Sequence, residues 1–140
     1  MRNRSNGFTF VELLFTMTIA GVLASAAVPS YNDYMARGRI TAAVAHLAVS
    51  QLQMQQYFQN SRSYVGAPAC ATDTASSSHF DFSCPVQEDF HFVAQAIGKG
   101  PMAGFTLAVD DAGVARTVGV PPGWRMPSRN CWVLRRDGSC

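Results

Sequence analysis

An α+β fold, one long amino-terminal helix laid against a small antiparallel sheet, follows from two features of the sequence. An apolar run from Phe8 leads into a segment that keeps helical spacing to about Asn60, and short strand-like runs separated by turn residues follow between 90 and 120. At 140 residues, 48 % hydrophobic and only 14 % charged, the chain holds one modest globular domain plus one special segment and is too apolar to be a disordered polypeptide. The formal net charge of +2 is too small for a bulk affinity for nucleic acid. It is unevenly spread, however, because Arg125, Arg129, Arg135 and Arg136 crowd the carboxy-terminal end.

The special segment comes first. From Phe8 to Val28 run 21 residues whose one ionisable side chain is Glu12. At 1.5 Å per residue a helix of that length covers about 30 Å, the thickness of a bilayer's hydrocarbon core, so residues 8–28 read as a membrane-spanning helix. The polar stretch 1–7 carries Arg2 and Arg4, and basic flanks stay cytoplasmic, which places the remainder of the chain, 29–140, outside. The alternative, a secretory signal cleaved near "ASAA" at 24–27, leaves Glu12 unexplained.

"GFTFVELLFTMTIAGVLASAAVPSYNDY" closely resembles the amino terminus of type IV prepilins and the related pseudopilins. The resemblance rests on a short basic leader ending in Gly7, then Phe8, a glutamate at the fifth position after that glycine, an apolar stretch, and a proline near its end. It covers residues 1 to about 35 and loosens afterwards. Phe10-Val11 stands before the glutamate where the family usually has Leu-Ile. The resemblance implies cleavage after Gly7 by a prepilin peptidase, methylation of the new amino terminus on Phe8, and a pilin-like fold. It also implies assembly with other pilin subunits by inner-membrane pilus machinery, and residence first in the inner membrane and then in an extracellular pilus.

Glu12 acquires a purpose in that setting. A buried carboxylate is costly unless paired, and an ionisable group in a membrane segment marks function. Cleavage after Gly7 creates an amine at the helix tip, and the resemblance implies that this amine on a neighbouring subunit meets Glu12 and sets the axial register. A carboxylate in the first helical turn is also favourable in its own right.

Beyond the membrane the helix continues, with Ile40, Val44, Leu47, Met54 and Phe58 at mostly three- or four-residue multiples and Asn60 as the stop. Gly21, Pro29 and Gly38 are points of flexibility or close packing. Residues 61–89 are rich in Ser, Ala, Gly and Pro and read as a connector with a short strand at Phe80–Ser83. Strands are expected in 90–98 and 104–120, the latter turning at "DDAG", and a brief "CWVLR" strand in the closing segment.

Cys70, Cys84, Cys131 and Cys140 form an even set beyond the apolar run, the pattern of disulfides in an exported domain. Of three possible pairings, Cys70–Cys84 and Cys131–Cys140 each bracket one irregular segment, and closing a loop of that size contributes on the order of 3 kcal/mol. Pilin-like proteins staple their carboxy-terminal region in the same way, which favours the second bridge. A metal site from Cys70, His79, Cys84 and His91 lacks the close Cys-x-x-Cys spacing of common zinc sites, so no metal and no cofactor is expected.

No phosphate-cradling glycine loop, His-Glu-x-x-His or compact nucleophile–base pattern is present, so no enzyme is expected. His46, His79 and His91 are isolated and read as surface or packing residues. Asp110 and Asp111, which would suit calcium in some pseudopilins, sit where aspartate is ordinary turn chemistry. The carboxy-terminal cluster is more specific: Arg125, Arg129, Arg135 and Arg136 interleave with Trp124 and Trp132, which suits phosphate contacts with base stacking. Some minor pilins bind DNA for natural transformation, and a basic carboxy-terminal loop resembles what that needs. The plainer alternative packs the tryptophans beneath the loop and lets the arginines pair or solvate. The chain is thus expected to be a type IV pilus subunit with a role in adhesion, twitching or DNA uptake. The alternatives are a DNA-binding minor pilin and a pseudopilin of a type II secretion system.

Overall fold

The computed structural model describes residues 8–140, the side chains of 26–30 excepted. The expected leader 1–7 with Gly7, and the side chain of Pro29, lie outside the described residues. Helix α1 spans Phe10–Ser61 in 52 residues, and four strands follow: β1 Phe80–Gln87, β2 Phe92–Gly98, β3 Thr106–Asp110 and β4 Ala115–Gly119. The chain divides into two compact units between Met35 and Ala36.

The first unit is helical from Phe10. Thr9 begins it, because its Oγ1 accepts the Glu12 N–H at 3.3 Å, and Thr9-Phe10-Val11-Glu12 is the Thr-x-x-Glu pattern of a capping box. Phe10, Val11, Leu13, Leu14, Phe15, Met17, Ile19, Val22 and Leu23 all expose more than half of their surface. Among the described residues no helix is long and apolar enough to cross a membrane. The span expected over 8–28 runs into residues 26–28, whose side chains lie outside the described residues.

In the second unit the buried positions of α1 are Ile40, Ala43, Leu47, Ser50 and Met54, alternating steps of three and four residues that keep one stripe facing the sheet. The helix ends at Ser61, one residue past the expected stop. Arg62 takes the left-handed conformation (φ 58°) and its N–H returns to the Phe58 carbonyl at 2.8 Å.

The sheet is an antiparallel meander in the order β1-β2-β3-β4. Phe80, Phe82, Phe92, Ala94, Ala96, Leu107 and Val109 join the helix stripe in one core, and burying each larger side chain contributes about 1.5–3 kcal/mol. Tyr64 stacks on Phe58 at 4.6 Å and meets Phe92 edge-on at 4.8 Å, closing the core beneath the helix end. His46 lies flat on Phe82 at 3.7 Å, a packing role that anchors α1 to β1.

Two expectations are corrected. The strand expected at Phe80–Ser83 runs on to Gln87, making a fourth strand out of what read as connector. It passes Cys84-Pro85 through a register shift between Ser83 and Val86, which an edge strand tolerates because one side of its backbone needs no partner. The "CWVLR" run is not a strand; its backbone is held by a side chain instead, as described below. The "DDAG" turn lies where expected: Gly113 (φ 77°) donates to the Asp110 carbonyl, and the Asp110 carboxylate accepts the Val114 N–H and the Arg116 guanidinium at 3.0 Å. Asp111 pairs with His91 across the same end of the sheet.

Cys70 is bonded to Cys84, tying the turn Pro68–Cys70 to β1, and Cys131 is bonded to Cys140. The thiolates that a zinc site would require at 70 and 84 are thus taken up in a bridge.

Candidate nucleic-acid interface

The closing segment, 120–140, contains little regular structure, so its shape depends on specific anchors. At its start, Gly123 (φ 85°) lets Trp124 turn back to donate to the Pro121 carbonyl at 3.1 Å, and the indole meets Phe105 edge-on at 4.8 Å. At the other end, Trp132 donates from Nε1 to the Ala108 carbonyl of β3 at 2.9 Å. Directly after Trp132, Val133 is fully buried.

The attachment to β4 runs through one hydroxyl. Thr117 Oγ1 donates to the Cys131 carbonyl at 2.8 Å and accepts the Val133 N–H at 2.9 Å. A strand pair would satisfy these groups through a backbone ladder; here a buried threonine does it, and residues 131–135 are fixed without becoming a strand. Nothing in the sequence marks Thr117, because a Thr in a strand shows itself as a bridging group only once its neighbours are known.

The outer part of the segment is a tight loop. Arg125 N–H donates to the Arg136 carbonyl at 2.9 Å, joining the two legs, and Gly138 (φ 87°) closes a turn on the Arg135 carbonyl at 3.1 Å. A side chain at 138 would press against the Arg125 and Met126 carbonyls, at 3.2 and 3.0 Å from a Cβ. Asp137 accepts the Ser139 N–H at 2.9 Å, and that bond, with the nearby Arg135, holds its carboxyl below the usual carboxylate range. Arg125, Arg129, Arg135 and Arg136 are all exposed. With Asp137 the opposing charge, the side chains of 120–140 sum to 4 − 1 = +3.

All six candidate residues lie in this one segment, and the structure divides their tasks. Trp124 and Trp132 are half-buried and anchor the loop, while the four arginines project from it. A groove of about 310 Å³ borders the loop, lined by Thr41 and Val44 of α1, Ala115 of β4, Asn130, Trp132, Leu134 and the Cys131–Cys140 bridge.

A capped helix with an apolar first half, a second half packed on an antiparallel meander, and a cystine-closed carboxy-terminal loop define the type IV pilin class. Residues 29–106 match the family model described as type IV minor pilin ComP, DNA uptake sequence receptor, and residues 2–28 match the prokaryotic N-terminal methylation motif. The chain belongs to this family of type IV minor pilins. The arginine loop lies beyond the matched stretch. A fimbrial protein of Neisseria meningitidis serogroup B is 31 % identical over 77 residues, 55 % of this chain and 45 % of that protein. The type IV major fimbrial protein FimA of Dichelobacter nodosus is 42 % identical over 45 residues, 32 % of this chain and 28 % of that one. The chain thus spans less than half the length of these relatives. In fold it resembles the non-core minor pilin PilV of Neisseria meningitidis, with a TM-score of 0.54 at 15 % identity, covering 71 % of this chain and 95 % of that one.

Proposed function

We propose that this pilin is a DNA-binding minor subunit of a type IV pilus, and that the loop 120–140 makes the phosphate contacts. The observation that carries this reading is the division of labour in the loop: half-buried tryptophans and a cystine hold it still, and four exposed arginines give it positive charge. Rigidly placed guanidiniums suit phosphates because each presents several donors in a fixed plane.

The rest of the cycle follows from the amino terminus. A prepilin peptidase cleaves after Gly7, the new amine on Phe8 is methylated, and residues 8–28 hold the subunit in the inner membrane. The pilus machinery then passes it to a filament of other pilin subunits outside the cell. There Glu12, among the exposed apolar side chains of the first unit, pairs with the amine of a neighbour.

Fluorescence anisotropy of a labelled duplex titrated with the full chain in detergent, at several salt concentrations, tests the DNA contact. Each phosphate contact contributes about 0.9 to the slope of log affinity against log salt, so Arg135→Ala with Arg136→Ala lowers that slope by between roughly one and two. Unchanged affinity and slope would remove this pair from the interface.

A further inference from the structure

The groove beside the arginine loop has an uncharged lining and charged surroundings. None of Thr41, Val44, Ala115, Asn130, Trp132 and Leu134 is ionisable, yet Arg129 directly precedes Asn130 and Arg135 directly follows Leu134, both exposed. We propose that this groove receives one unstacked base of the DNA strand whose phosphates the arginines hold. The proposal rests on the DNA-binding reading and adds a site for the base to it.

Charge complementarity selects the occupant. An apolar helix or a second copy's core face would have to seat itself beside a segment of net charge +3 without compensating it. A nucleotide brings both parts: an anion for the rim and an apolar-faced ring for the floor. The volume, about 310 Å³, lies at the lower end of small-ligand sites. Trp132 is pinned by its bond to the Ala108 carbonyl, so its indole is a fixed wall rather than a mobile side chain. Asn130 is exposed, and its amide, donor and acceptor together, can meet the edge of a base.

The test uses the full chain in detergent and single-stranded oligothymidine carrying one 5-iodouracil, a base that crosslinks to an adjacent aromatic ring on irradiation. Peptide mapping is expected to place the crosslink on Trp132. Thr41→Phe, at an exposed helix position on the groove wall, is expected to weaken oligothymidine binding about tenfold and to abolish the Trp132 crosslink, within the range of base–aromatic contacts. The salt slope should stay unchanged. Arg135→Ala with Arg136→Ala should lower the slope and leave the crosslink on Trp132. Should Thr41→Phe melt early, Thr41→Leu shows the same pattern with smaller effect, and the unmodified chain's crosslink map decides independently. Binding with the crosslink elsewhere, or a Thr41→Phe chain that binds and crosslinks as before, overturns the groove and leaves DNA binding standing. No binding to either single strand or duplex overturns both.

Discussion

Replacing Thr117 by valine removes the hydroxyl that joins the carboxy-terminal segment to the sheet while keeping the β-branched shape. Two hydrogen bonds are lost, to the Cys131 carbonyl at 2.8 Å and from the Val133 N–H at 2.9 Å, and the second group lies beside a fully buried side chain. A buried donor without a partner costs about 1–3 kcal/mol and an ordinary hydrogen bond contributes about 1 kcal/mol, so the loss is about 2–4 kcal/mol. The Cys131–Cys140 bridge cannot compensate, because it joins the loop to itself and not to β4. For a unit of this size 1 kcal/mol shifts the melting temperature by about 4–8 °C, which places the expected fall upward of about 10 °C in calorimetry or circular dichroism. Hydrogen exchange at the Val133 amide should accelerate most. Thr117→Ser keeps both bonds and loses one methyl, so its cost stays near 0.8 kcal/mol. The reasoning is refuted if the valine variant melts with the parent, or if serine and valine are equally damaging.

Other consequences are more local. A Cβ at Gly98 would stand 1.9 Å from the Met102 carbonyl oxygen, a backbone atom that cannot yield cheaply, so Gly98→Ala should cost at least about 2 kcal/mol; an unchanged urea midpoint would contradict this. Asp73 accepts backbone bonds from Ala75 and Ser76, each 2.9 Å, and its contacts with Ser76, then Ala75, lower its pKa from 3.8 to about 2. A depressed carboxylate stabilises the fold fully above the unfolded value, and that contribution disappears as pH falls from about 4 through about 2. Asp73→Asn should therefore flatten that part of a stability–pH curve, and an acid limb identical to the parent's would count against the assignment. Glu12→Ala should deplete the subunit in sheared pili, measured by quantitative mass spectrometry against the parent; equal abundance would sink the register role.

Much of the fold was legible because it rests on local periodicity. The stripe Ile40, Leu47, Met54 sets its own helical face, and "DDAG" places a hairpin wherever strands flank it, since only glycine is relaxed at Gly113's positive φ. Thr9 three residues before Glu12 is likewise a local signal of a helix start, and the Glu12 N–H bonds to the Thr9 hydroxyl. The second half of strand β1, beyond the expected Phe80–Ser83, shows the limit. Cys84-Pro85 breaks the local pattern, and whether a strand survives a proline depends on which edge of it is paired.

The sequence by itself determined the long helix, the pilin amino terminus, the cysteine count and the clustering of arginines near the end, because each is a property of neighbours along the chain. Tertiary structure alone decided what the closing segment does with them. Thr117 is 14 residues from Cys131 and Ala108 is 24 from Trp132, and no periodicity reports that these groups meet. Their hydrogen bonds turn Trp132 inward and fix the loop on whose surface the exposed arginines lie. A buried polar group must find a partner wherever the fold supplies one, and the fold supplied it from other strands.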